Sequence, residues 1–241
     1  GVMSLTGPDA DSFTKVGPGI GDIFSGMVMA FGIMAALRHA DAYGTGQFVD
    51  VAMYDAVLSL CERAVYLNDF HGTTPGPEGN NHPFLAPFGL FKAQDGAVAI
   101  GIVDDKFWQI LANAMEGETL SSNPKFATRS ARAENKDELN SLVETWTKSR
   151  TKADLSAMLG GKVPFGPLNS IQDIVDDPHV ANRNMLTQVS NPDDPKAPWT
   201  VASNPLRFSA SESPLLGSPP RLGQHNAQYL SPDLEKAARQ F

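Results

Sequence analysis

Basic clusters are missing from this chain. Its 19 lysines and arginines face 27 aspartates and glutamates, a formal net charge of −8, and no Lys/Arg cluster exceeds two residues. That balance excludes nucleic acid and an anionic membrane surface as partners, because nothing here would neutralise their phosphates. Cysteine is nearly missing too. The single Cys61 allows no internal disulfide and fits a reducing compartment, so a cytoplasmic location is expected. Cys61 has no companion thiol and no histidines stand at metal-ligand spacing, so no metal site is expected. The segment GPGIG lacks both the preceding strand and the G-x-G-x-x-G spacing of a dinucleotide loop. No G-x-S-x-G elbow occurs. A signal peptide is not visible and there is no initiator Met. The opening Gly1-Val2-Met3-Ser4 reads as part of a longer polypeptide.

Long uncharged runs are also scarce, with one exception. Val16 to Leu37 reads VGPGIGDIFSGMVMAFGIMAAL, with Asp22 ahead of fifteen residues, Ile23–Leu37, that carry no charge. The run is shorter than the 18 or more residues of a membrane span and is interrupted by Gly26 and Gly32, so no membrane span is expected. It predicts a helix buried on most sides, with the glycines allowing close backbone packing. Phe48–Ala52 predict a short buried strand and Tyr54–Phe70 a second helix, the grammar of a parallel α/β unit.

Three parts follow from the pattern. Residues 1–70 hold that unit. The turn-rich linker HGTTPGPEGNNHP opens the second part, 71–190. There PFGLFKAQDGAVAIGIV predicts a hairpin joined at Asp95-Gly96. Asp104 or Asp105 is expected to cap a helix with Phe107, Ile110, Leu111 and Met115 at helical spacing. Further helices are predicted at Asn135–Lys148, Lys152–Leu159 and Ser170–Asp176. The Pro-rich third part, 191–241, carries an expected strand near Leu206–Ser209 and a short helix near Pro232–Arg239. It should pack back on the first part.

Asp22 admits two readings. As an N-cap its oxygens would accept bonds from the free amides of the first turn. As a nucleophile it would use the same helix N-terminus and the pliant Gly17-Pro18-Gly19-Ile20-Gly21 backbone, which favour a carboxylate and can donate amides to an oxyanion. A carboxylate attacking an activated acyl carbon gives a mixed anhydride. His82, in NNHPF, reads first as an ordinary loop histidine, His39 meets a helix C-terminus, and Asp104 reads first as a cap.

Taken together, several segments resemble the class III CoA-transferases, the formyl-CoA transferase and carnitine CoA-transferase group, which are related to alpha-methylacyl-CoA racemase. They are MSLTG (Met3–Gly7), GPGIGDIFSGM (Gly17–Met27), GTGQFVDVAMYDAVL (Gly44–Leu58), HPFLAPFGLFKAQDG (His82–Gly96), VPFGPLNSIQDIVDDPHVANRNML (Val163–Leu186), LRFSAS (Leu206–Ser211) and LGQHN (Leu222–Asn226). The set spans nearly the whole chain.

The resemblance implies a fold, a reaction and a site. The fold would be α/β: the C-terminal part of a Rossmann-like large domain, then a smaller α+β domain, in an interlocked homodimer whose tail returns to the large domain. Asp22 would be the catalytic aspartate, moving CoA between an acyl-CoA thioester and an acceptor carboxylic acid through aspartyl intermediates, with no permanently bound cofactor. Gly19, Gly21, His82 and Asp104 would belong to the substrate loops, and EGNNHP stands where some members carry a glycine-rich flap. The N-terminal half of the large domain, with most CoA contacts, would be absent from this chain and supplied as a cleaved piece or separate subunit. Two alternatives stay open. Racemases of the group resemble GAIEPQFY where this chain has GIVDDKFW, putting Asp104 at their Glu, and a non-catalytic fragment or subunit is the other.

Overall fold

The computed structural model of the chain describes residues 1–211 and 217–230. It divides into two compact units, Gly1–Leu168 and Asn169–Phe241.

The first unit opens with a 3-10 turn, Met3–Leu5, and the helix α1, Ile20–Tyr43. Alanine, methionine and leucine favour a helix along α1. Gly44 ends it in the left-handed conformation, φ 72°, its N–H donating to Ala40 O at 2.8 Å, as glycine does at a helix end. The run expected to be buried on most sides is not. Of α1 only Ser25 is buried, and Phe31 is 79% exposed. The helix is also longer than its uncharged run: at 24 residues it is long and apolar enough to cross a membrane by length and composition alone, which corrects the expectation that it falls short.

The strand expected at Phe48–Ala52 does not form. Ala52 has extended dihedrals, but no chain pairs with the segment among the described residues and Phe48 is 92% exposed. A strand exists only where a neighbour takes its backbone hydrogen bonds. The helix expected at Tyr54–Phe70 is two: α2, Met53–Ser59, which packs on α1, and α3, Glu62–His71. They divide at Leu60 and Cys61, where Cys61 N–H turns back to Leu58 O at 2.9 Å.

The predicted hairpin is present as β1, Phe88–Ala93, and β2, Gly96–Gly101, paired antiparallel from Phe88↔Gly101 to Ala93↔Gly96. Asp104 caps the next helix, α4, Asp105–Met115, its Oδ1 accepting the Phe107 N–H at 2.8 Å. Then come α5, Glu118–Ser121; α6, Arg129–Glu134; α7, Lys136–Lys148; and α8, Lys152–Leu159. Thr151 and Asp154 start α8 with a reciprocal capping box, which satisfies two otherwise orphaned donors. The strand β3, Phe165–Pro167, joins β2 to complete a sheet of order β1-β2-β3. The inner face of the hairpin, Phe91, Val98 and Ile100, forms one core with Trp108 and Leu111 of α4, Leu139 and Val143 of α7, and Leu155 and Leu159 of α8. Alternation along the strands and helical spacing in α4 and α7 place these side chains on facing surfaces.

In the second unit Ser170 and Asp173 form another capping box, starting α9, Ile171–Val175, and Pro178 begins α10, Pro178–Asn182. A hairpin of β4, Leu186–Val189, and β5, Trp199–Ala202, follows, then α11, Asn226–Tyr229. No strand stands at Leu206–Ser209. There Asn204 Oδ1 takes the Leu206 N–H at 2.9 Å, a local bond that competes with a ladder. The helix expected near Pro232–Arg239 lies outside the described residues. The chain is thus a mixture of helix and sheet, and both described sheets are antiparallel.

Candidate active site

α1 begins at a glycine. Gly19 is its N-cap, φ −72°, and offers no side-chain oxygen. Asp22 is therefore not the cap but the third residue of the helix, in its first turn. Its carboxylate is exposed, and among the described residues no hydrogen bond or ion pair engages it. The Gly21 and Asp22 amides likewise have no backbone acceptor among the described residues. An anion at this end of a helix is favoured by the macrodipole, and two free N–H groups in the same turn can receive a developing oxyanion.

Gly19 leaves room for the carboxylate. A Cβ on Gly19 would stand a tight 3.3 Å from Asp22 Oδ2, whereas one on Gly21 would make ordinary contact with Met53 Cε at 3.8 Å. Buried Ser25 ties the turn down, its Oγ donating to Gly21 O at 2.5 Å. Alongside lies an apolar cavity of about 510 Å³, lined by Val16, the Gly19–Gly21 backbone, and Met53 and Val57 of α2. Gly19 and Gly21 line this cavity, and Asp22 shares their turn without lining it.

His82 lies elsewhere. It is half-buried beside a second cavity of about 390 Å³, between Cys61–Ala64 and the 75–83 loop. Its ring stacks on Phe88 at 4.9 Å, and its Nδ1 accepts the Phe84 N–H at 3.1 Å. With Nδ1 an acceptor, the neutral ring carries its proton on Nε2. Burial first, then the Arg63 and Arg129 charges, hold its pKa below the ordinary value of 6.5. The His82 loop is fastened rather than loose. His82 N–H donates to Phe88 O at 2.8 Å, Leu90 N–H to Asn80 O at 3.1 Å, and Asn140 Nδ2 to Asn81 Oδ1 at 3.2 Å.

Asp104 is exposed and engaged in its cap. Among the described residues no bond joins Asp22 to His82 or Asp104. One residue links the latter two segments. Arg132, buried in α6, bonds Ala86 of the His82 loop and Asp105 beside Asp104. Sequence reasoning missed it, since RSARAE reads as an exposed helix and only the packing shows its burial.

The chain matches the sequence profile of CoA-transferase family III over residues 1–226. It is 39% identical to succinyl-CoA:mesaconate CoA-transferase of Haloarcula hispanica, over 95% of this chain and 57% of that protein. It is 31% identical to succinate–glutarate CoA-transferase of Agrobacterium fabrum, over 99% of this chain and 59% of that protein. A CaiB/BaiF family protein from Brucella suis has a similar solved structure, with TM-score 0.75 and 30% identity, over 94% of this chain and 58% of that one. The chain therefore spans somewhat more than half the length of the relatives it matches. On this profile match, with the fold and the curated relatives agreeing, the chain belongs to CoA-transferase family III.

Proposed function

We propose that the complete protein transfers CoA from an acyl-CoA thioester to a carboxylic acid, in the cytoplasm, with Asp22 as nucleophile. The observation that carries this is an exposed, unengaged carboxylate in the first turn of α1, beside two free amides. The Asp22 carboxylate attacks the thioester carbonyl, the C–S bond breaks, and CoA leaves as the thiolate. The thiolate then attacks the aspartyl carbonyl of the anhydride, releasing the donor acid and leaving an aspartyl-CoA thioester. The acceptor carboxylate attacks that thioester, its C–S bond breaks, and an anhydride of Asp22 with the acceptor forms as CoA thiolate leaves. The thiolate attacks the acceptor carbonyl of this anhydride, giving the new acyl-CoA as the Asp22 carboxylate departs. The Gly21 and Asp22 amides stabilise the oxyanion of each addition. His82 and Asp104 line the substrate path. Both relatives described above are named for dicarboxylic acids, which are the acids to assay first.

The complete protein, on this reading, is an interlocked homodimer in which 1–70 complete a Rossmann-like domain. Ile23, Met27, Phe31, Met34 and Leu37 form an exposed apolar stripe along α1, and a helix without a charged face needs a cover. The cover is the preceding part of the family's length, as a segment or a subunit; two similar proteins are named as beta and alpha subunits.

A racemase would use Asp104 as a second acid/base across an α-carbon. Asp104 gives one oxygen to the cap bond with Phe107, and among the described residues no bond brings it to Asp22, which favours transfer. Heavy water separates the two. Transfer leaves the α-carbon untouched, so the acyl-CoA should gain no deuterium while CoA moves to the acid. Rapid α-deuteration without an acceptor acid would establish the racemase instead.

A further inference from the structure

Arg132 is 1% exposed and carries a charge. All three of its nitrogens are engaged: Nε donates to Ala86 O at 3.2 Å, Nη1 to Phe126 O at 3.1 Å, and Nη2 to Asp105 Oδ1 at 2.8 Å. Its guanidinium carbon lies 5.5 Å from the centre of the Trp108 ring. The Asp105 side chain is 60% exposed, so water weakens the one ionic partner while the cation is fully desolvated. For stability alone an apolar side chain of similar volume often does as well or better at such a place. What a guanidinium adds is geometry, because its rigid planar fork holds several acceptors in fixed directions.

The acceptors come from three segments, and two of them adjoin the substrate loops. Ala86 closes the loop that begins at His82, and Asp105 follows Asp104. We propose that Arg132 is a positioning residue, which fixes the His82 loop against the Asp104 end of α4 and so sets the substrate path of CoA transfer. This rests on the transferase reading above. A lysine at 132 keeps the charge but cannot span three acceptors. Asparagine at 105 keeps an oxygen for Nη2, whereas alanine there removes it.

The test uses the full-length enzyme and two readouts. Hydrogen exchange followed by mass spectrometry should show Arg132→Lys raising exchange about tenfold or more in residues 82–88. Steady-state kinetics should show KM for acyl-CoA or for the acid rising tenfold with kcat changed less than about threefold, since Asp22 is untouched. Asp105→Asn should stay close to wild type and Asp105→Ala should reproduce part of the effect. A lower melting temperature with unchanged KM for both substrates would make Arg132 purely structural and overturn the proposal. Unchanged exchange in 82–88 would overturn it as well. Should Arg132→Lys fail to fold, Asp105→Ala carries both readouts, because the cation keeps its two carbonyl partners. If the wild-type enzyme moves no CoA, the transferase reading fails, and the substrate-path role with it. Exchange still decides whether Arg132 holds the loop.

Discussion

Asp22 Oδ2 lies 3.3 Å from the place a Cβ on Gly19 would occupy. The cap of α1 is therefore left bare on the side where the carboxylate stands. The backbone of Gly19, φ −72°, suits any residue, so a side chain there would be crowded by the carboxylate and not by the chain's path.

Gly19→Ala should accordingly fold. Its stability cost should be about 0.5–1 kcal/mol, the difference between a glycine and an alanine cap. The methyl group must push the carboxylate aside, so kcat should fall on the order of tenfold or more, about 1.4 kcal/mol in the barrier. Urea unfolding and steady-state rates on the full-length enzyme check this. A rate equal to wild type would show that the carboxylate needs no clearance.

The lowered pKa of His82 has a definite sign in stability. In the unfolded chain the imidazole titrates at its ordinary 6.5, and in the folded chain below it. As pH falls through that window the unfolded state binds the proton first, so folding weakens. Above about pH 6.5 the residue contributes no pH dependence, and below the folded value the loss is complete. His82→Gln should flatten this part of the stability profile as pH falls below about 6.5. Arg63→Met should raise the His82 midpoint measured by NMR, by less than relief of burial would, since burial is the larger cause. A midpoint unmoved by Arg63→Met would remove the charge contribution.

Gly89 is required by contact. A Cβ there would meet Asn80 O closer than any real side chain approaches a carbonyl, because the His82 loop lies directly on β1. Gly89→Ala should cost about 1–3 kcal/mol, as overpacking does, and should loosen the loop's bonds to Phe88 and Leu90. Thermal unfolding and exchange of the His82 amide measure both effects. A stability equal to wild type would mean that the loop does not rest where the structure has it.

What could be read from the sequence follows from how local each signal is. The hairpin, the Asp104 cap and the start of α8 at Lys152 came from residues that act on neighbours within a few positions. Asp22 stands out in the sequence because it is alone before an uncharged run, and yet its place in the helix differs by three residues from the expected cap, since a glycine caps α1. The hairpin of β4 and β5 was missed because nine residues separate its strands. Phe48–Ala52 had a strand's composition without a partner, and pairing is a tertiary fact. The burial of Arg132 was illegible for the same reason: its acceptors lie 46, 27 and 6 residues away.

The most direct test of the central claim is Asp22→Asn in the full-length enzyme. Asparagine keeps the shape and an acceptor oxygen but lacks the nucleophilic carboxylate. CoA transfer between an acyl-CoA and a dicarboxylic acid should fall on the order of 10⁴-fold or more, as loss of a nucleophile does elsewhere, with the melting temperature unchanged. Hydroxylamine added during wild-type turnover should modify Asp22, seen as a mass change on its peptide and absent from the variant. Transfer by Asp22→Asn within about tenfold of wild type, with an unmodified Asp22 peptide in the trapped wild-type enzyme, would contradict the account.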